Sequence, residues 1–239
     1  KNEGEDLVKT SACNFYEQVT QQEAEIFYGA MKDVADEEPP SYGLNSKLIK
    51  KDGTLVEEKW TTEGMYAPAI RQIVYWLGKA RNYAENQQQE KVIDLLIEYY
   101  RTGDLRIFNS YSIEWLKEKD GNIDFVNGFI EVYGDPLGIK GSWEGIVEFK
   151  DLEATKRTQI ISSNAQWFED HSPVDARFKK QTVRGITANV VCAAMLGGDE
   201  YPSSAIGINL PNADWIRAKY GSKSVTIANL IEAYNYAAR

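Results

Sequence analysis

Three stretches of apolar residues at helical spacing, followed by an abrupt change to two-residue alternation, most constrain how this chain folds. From Pro68 to Ala84 the residues Ile70, Ile73, Val74, Leu77 and Ala80 share one helical face, with proline in the first turn, and predict a core helix. Glu90 to Tyr100 repeats the spacing with Val92, Ile93, Leu96 and Tyr99. After Thr102-Gly103 a third helix can start at Asp104 and carry Leu105, Phe108 and Trp115. At Asn122 the period changes: Ile123, Phe125, Phe129 and Tyr133 alternate as a strand over 122–133 requires. Gly134 to Gly138 turns the chain, and Trp143 to Phe149 reads as a second strand. Helices come first and strands are few and grouped. The expected class is therefore α+β, with helices packed on a small, mostly antiparallel β core, rather than a doubly wound parallel sheet.

The remaining elements follow from punctuation. Residues 21–33 are helical by spacing (Ala24, Phe27, Ala30, Met31) and stop at Glu37-Glu38-Pro39-Pro40. Leu44 to Lys59 forms a hairpin around Asp52-Gly53. Asp151 caps a helix running to about Phe168. Val183 to Met195 fits a buried strand or a helix, and mixed structure is expected there. Gly197 to Pro202 is a loop, Ser204 to Asn209 is extended, Asn212 caps a helix over 213–220 that Gly221 ends, and Ser224 caps a final helix to Ala238.

Composition excludes several functions. With 36 acidic against 27 basic residues the 239-residue chain carries a formal charge of −9, the wrong sign for affinity gained by neutralising phosphates, so nucleic acid is not expected as a partner. The longest apolar run, Ala188 to Leu196, is too short to cross a bilayer. Lys1 to Asp6 is charged with no apolar signal region behind it, which gives an expected cytoplasmic location, a removed export signal being the alternative. Cys13 and Cys192 form no Cys-x-x-Cys pair and read as buried thiols. The one histidine, His171, follows a helical run and reads as a solvated helix-end residue. Zinc sites take two or three imidazoles or closely spaced cysteines, so this chain is not expected to bind zinc itself.

Three polar groups stand where a strand or its end can present them. Alternation sets Glu131 beside Tyr133, and a hairpin returning after Gly141 brings Glu144 near both. Two carboxylates and a phenol around one cleft suit an ammonium group, a bound cation, or a glycosidase acid and base pair, and the residues alone leave all three open. Gly207-Ile208-Asn209-Leu210-Pro211-Asn212 reads as an edge strand. Such an edge can accept an extended peptide as an added strand, with the asparagine amides as donors and acceptors; a plain turn is the alternative. Gly197-Gly198 lacks the rest of a phosphate loop. Six Trp and 14 Tyr admit a carbohydrate groove, yet most fall at core spacing.

The stretch Phe129-Ile130-Glu131-Val132-Tyr133-Gly134-Asp135-Pro136-Leu137-Gly138, followed by Gly141-Ser142-Trp143-Glu144-Gly145, resembles a signature of the dipeptidyl peptidase III family, and Gly207 to Asn212 resembles a second, in the family's order and at about its separation. The resemblance implies a two-lobed zinc peptidase that removes dipeptides from the N-termini of short peptides, the peptide lying as an added strand. By motif position, Glu131 and Glu144 would hold the free ammonium group, Asn209 and Asn212 the N-terminal residues, and Gly207 a main-chain pair. Tyr133 would be catalytic, stabilising the oxyanion at the scissile carbonyl. Arg217 matches an arginine that approaches the substrate beyond the cleaved bond. On this reading residues 1–150 and 191–239 form the substrate-binding lobe and 151–190 a helical segment leaning toward the zinc lobe. The family's histidine-glutamate zinc helix is absent here, and Ser142 stands where many members carry an acid. The expected partners are short peptides with a free N-terminus and the missing zinc-binding lobe, with zinc a cofactor of the full-length enzyme only. A peptide-binding module without zinc is the alternative.

Overall fold

A computed structural model describes residues 4–183 and 186–238, which form two compact units, 4–118 with 127–144 and 119–126 with 145–238. The first begins with a short helix α1 (Leu7–Thr10), strand β1 (Tyr16–Glu17) and helix α2 (Gln21–Gly29), which starts at a capping box between Thr20 and Glu23. Strands β2 (Ser46–Lys51) and β3 (Thr54–Lys59) make the expected hairpin. Its turn residues Asp52 and Gly53 both have positive φ, 50° and 79°, the geometry that favours Asp-Gly. β1 runs parallel to β2, so the three-stranded sheet β1-β2-β3 is mixed. Val19, Ala24, Tyr28 and Leu48 form the core between α2 and this sheet.

Helices α3 (Ala67–Ala80), α4 (Gln87–Thr102) and α5 (Leu105–Lys117) follow, with Asp104 capping α5 and Gly103, at φ 64°, ending α4. α4 is the core helix: Val92, Ile93, Leu96, Tyr99 and Tyr100 are all buried between its neighbours α3 and α5. The expectation for α3 needs correction. It forms where periodicity places it, but only Ala67 and Ile70 of its residues are buried, while Tyr75 and Trp76 are more than half exposed.

Strands β4 (Ile123–Phe129) and β5 (Trp143–Lys150) each carry residues of both units. β4 is shorter than alternation suggests, because Gly128, Ile130 and the turn at Tyr133-Gly134 redirect the chain. Antiparallel bonding to the β5 arm nevertheless continues beyond Phe129: the Ile130 amide donates to Ser142 O at 3.0 Å and the Ser142 amide to Glu131 O at 2.8 Å. Gly141 makes this closeness possible. A Cβ there would lie 2.9 Å from the Phe129 carbonyl carbon and 3.1 Å from the Ile130 amide nitrogen, backbone atoms that cannot yield. Gly141→Ala is therefore expected to cost about 1–3 kcal/mol in urea denaturation; a neutral substitution would show that the two arms separate freely.

In the second unit, α6 (Leu152–Ser163) starts at the Asp151 cap, but the single helix expected to Phe168 breaks at Asn164 into α6 and α7 (Ala165–His171). The ambiguous segment is a strand, β6 (Ile186–Gly198); residues 184 and 185 of that stretch, like residues 1–3 at the charged N-terminus, lie outside the described residues. α6 covers β6, with Thr155 exchanging hydrogen bonds with the Val190 backbone and Thr158 donating to Ala188 O. β7 (Gly207–Leu210), α8 (Asp214–Tyr220), β8 (Ser222–Ile227) and α9 (Ala228–Ala237) complete the unit. Strand order is β4-β5-β6-β8-β7, with β6 and β8 parallel and β7 and β8 antiparallel. The class is α+β as expected, built on two mixed sheets. Two caps are corrected: Ala213, not Asn212, precedes α8 and no side chain caps it, while Ser224 lies inside β8, paired with Asn209, and α9 begins after Ile227. Both cysteines are free and half-buried rather than buried. No described helix is long and apolar enough to cross a membrane.

Candidate functional site

Glu131, Tyr133 and Glu144 come together in the first unit. Glu144, at the start of β5 and 3% exposed, accepts the Glu131 amide at 3.1 Å through Oε1. The β5 arm is anchored by Trp143, whose indole Nε1 donates to Tyr100 OH at 2.8 Å, and that hydroxyl donates to Asn127 Oδ1 at 2.5 Å. Tyr133 sits in the turn with an exposed ring. Its phenol is pushed up in pKa, first by the charge of Glu131, then by donating a hydrogen bond to that carboxylate, with Glu144 adding. It is thus kept as a protonated donor. Glu131 and Tyr133 meet through the turn rather than as neighbours on one strand face, which corrects the expected geometry while keeping the grouping.

Around this group lie residues that sequence reasoning did not single out. Asp135 accepts from the amides of Leu137, Ile139 and Lys140 and from Tyr16 OH at 2.8 Å. An Asp before proline in a turn is the local signal for the first of these; nothing local points to Tyr16 or Lys140.

Gly207, Asn209, Asn212 and Arg217 belong to the second unit. Gly207 and Asn209 are exposed on β7, which is the sheet's edge strand as expected, so one side of its backbone bonds to β8 and, among the described residues, no strand pairs with the other, the arrangement that can accept an added strand. A Cβ at Gly207 would come 3.3 Å from Val225 O. Asn212 is exposed beyond the strand, and Arg217 is exposed on α8.

As for a metal, among the described residues no group of three or more His, Cys, Asp or Glu side chains is arranged to hold one. His171 Nδ1 lies 2.7 Å from Trp167 O and its ring stacks on Trp167 at 4.3 Å. These residues do not fit a zinc site.

The sequence profile of peptidase family M49 matches residues 15–238, nearly the whole chain. The chain belongs to peptidase family M49. Mouse dipeptidyl peptidase 3 is 29% identical over 178 residues, covering 74% of this chain and 24% of the mouse protein. Human dipeptidyl peptidase 3 is 29% identical over 170 residues, covering 71% of this chain and 23% of the human one. The chain therefore spans about a quarter of the length of these curated M49 relatives. The structure of DPP III from Caldithrix abyssi matches with a TM-score of 0.76 at 24% identity, covering 92% of this chain and 41% of that one. That of dipeptidyl-peptidase III from Corallococcus sp. strain EGB gives 0.76 at 20% identity, covering 92% and 40%. Both solved structures support the α+β fold.

Proposed function

We propose that this M49 chain is the peptide-gripping part of a zinc-dependent dipeptidyl peptidase that releases dipeptides from peptide N-termini. The observation that carries the reading is the convergence of Glu131, Glu144 and a protonated Tyr133 on one turn. A free ammonium group placed at Glu131 makes charge-assisted hydrogen bonds and neutralises the carboxylate that now holds the Tyr133 hydroxyl. The released phenol then donates to the scissile carbonyl oxygen, where negative charge develops. In the second unit the edge of β7, with Asn209 and Asn212, suits an extended peptide main chain, and Arg217 is proposed as a further peptide contact by its motif position alone. Zinc would be held by residues other than these, and the chain by itself is proposed to be inactive.

Titration calorimetry tests the anchor. A tetrapeptide with a free N-terminus is expected to bind about 10- to 100-fold more tightly than its N-acetylated form, the range of one charge-assisted bond, and Glu131→Gln is expected to erase most of the difference. Equal binding of both peptides by the wild-type chain would remove the ammonium anchor. The second reading, a peptide-binding module without zinc, draws on the donor set of the sequence, one histidine and two cysteines far apart. It predicts the same binding but no histidine-glutamate helix encoded after Arg239, which sequencing of the adjoining coding region decides.

A further inference from the structure

Between Tyr133 and Ser142 the chain makes a loop that turns a lysine inward. Lys140 is fully buried. Its ammonium donates to Tyr28 OH and, at 3.0 Å, to Ser46 Oγ, and lies 4.0 Å from Glu57 Oε1. It also sits over the Tyr28 ring at 4.4 Å and the Tyr16 ring at 5.7 Å. Tyr28 and Ser46 in turn donate to the same Glu57 oxygen at 2.9 and 2.5 Å. The other end of the loop is fixed by Asp135, whose Oδ2 takes Tyr16 OH at 2.8 Å and the amides of Ile139 and Lys140 at 2.9 Å each. The Gly141 amide donates to Leu44 O at 2.8 Å.

We infer that Lys140 is a positioning residue, which with Asp135 holds the Tyr133 turn and the Glu144 arm at the separation needed to grip a peptide ammonium group. Tyr133 stands two residues before one anchor and Glu144 four residues after the other, so the geometry of both candidate contacts is set by where this loop is pinned. A buried ammonium is a poor device for stability. Removing it from water costs several kcal/mol, which its partners roughly repay, and replacing such a charge together with its partner by apolar groups is often as stable. Burial pushes Lys140 down to about 8, against the opposing pull of Glu57 and Asp135, so desolvation dominates at this site. What the ammonium adds is direction: it ties the loop to a hydroxyl on α2 and another on β2, which a methylene chain does not do. Sites held to within fractions of an ångström lose function when such support is loosened.

The inference rests on the proposed ammonium anchor at Glu131 and Glu144, and the experiment separates the two. Lys140→Met leaves Glu57 its bonds from Tyr28 and Ser46, so no carboxylate is orphaned and the variant is expected to melt within about 5 °C of wild type. Its preference for the free over the N-acetylated tetrapeptide is expected to fall about tenfold. A merely structural role would weaken both peptides alike and leave that ratio unchanged. If the wild-type chain prefers the free peptide and a folded Lys140→Met keeps the full preference, positioning by Lys140 is overturned while the anchor stands. If wild type has no preference, the anchor reading fails and takes this inference with it. Should Lys140→Met not fold, Tyr16→Phe, which removes only the hydroxyl bond to Asp135, is expected to lower the ratio several-fold, and an unchanged ratio there overturns the inference.

Discussion

Lys223→Met is expected to lose about 3–5 kcal/mol of folding free energy in urea at pH 7. Lys223 and Asp124 are both buried, with Nζ 2.7 Å from Oδ2. Glu148 is a third buried charge, 1% exposed, and its Oε2 has no hydrogen-bond partner among the described residues. Burial first, and then the charge of Asp124, pushes Glu148 up to about 7, with Lys223 opposing. One ammonium thus serves two carboxylates, and near neutrality Glu148 takes up a proton to make up the difference. Removing the ammonium takes away the cation that faces this buried negative charge, leaving Asp124 to neutral donors such as the Phe125 amide at 2.8 Å.

The same arrangement sets a pH dependence. The folded-state value of Glu148 lies above its ordinary 4.5, so its protonated form favours the folded state. That contribution is fully present below about pH 4.5 and is lost as pH rises through about 7. Glu148→Gln stays neutral at every pH. It is expected to remove this slope and to be about 2–3 kcal/mol more stable than wild type at pH 8. A Glu148→Gln chain with the wild-type slope would place the titration elsewhere.

Local signals carried much of the fold and failed at identifiable points. α4 and α5 were legible because Gly103 and Asp104 punctuate two periodic runs, and the β2–β3 hairpin because Asp52-Gly53 suits a turn with two positive φ values. Periodicity also found α3, but it reports which residues share a face and not whether anything covers that face, hence exposed Tyr75 and Trp76. Ser224 is a good cap in isolation. Pairing of β8 with β6 and β7 outweighs that preference, and the same pairing settles residues 186–198 as a strand. Of the candidate site, Glu131 near Glu144 followed from hairpin return alone. Lys140, which pins the loop beside it, did not, because its partners are distant in sequence, Tyr28 across 112 residues and Ser46 across 94; in the second unit the Lys223–Asp124 pair, 99 residues apart, escaped for the same reason. No window-based reading reaches such pairs.

Tyr133→Phe, made in a peptidase that combines this segment with a zinc site, is expected to lower kcat about 10²- to 10³-fold with little change in KM. The exposed phenol donates to Glu131 in the free chain, and a peptide ammonium neutralising that carboxylate, as proposed, would free it to turn. On the proposed role, its bond to the carbonyl oxygen would strengthen only as charge develops there, so losing the hydroxyl would be felt in the transition state and not in binding. The pH profile distinguishes this role from a packing one. Glu131 holds the Tyr133 phenol above its ordinary range, so the donor form persists through neutral and mildly alkaline pH. Glu131→Gln removes that charge from the unliganded chain and lets the phenol ionise at lower pH, so the phenol's alkaline limb in kcat/KM, which reports the free enzyme, is expected to move toward neutrality in Glu131→Gln and to be missing from Tyr133→Phe. Turnover by Tyr133→Phe at the wild-type rate would assign carbonyl stabilisation to another group.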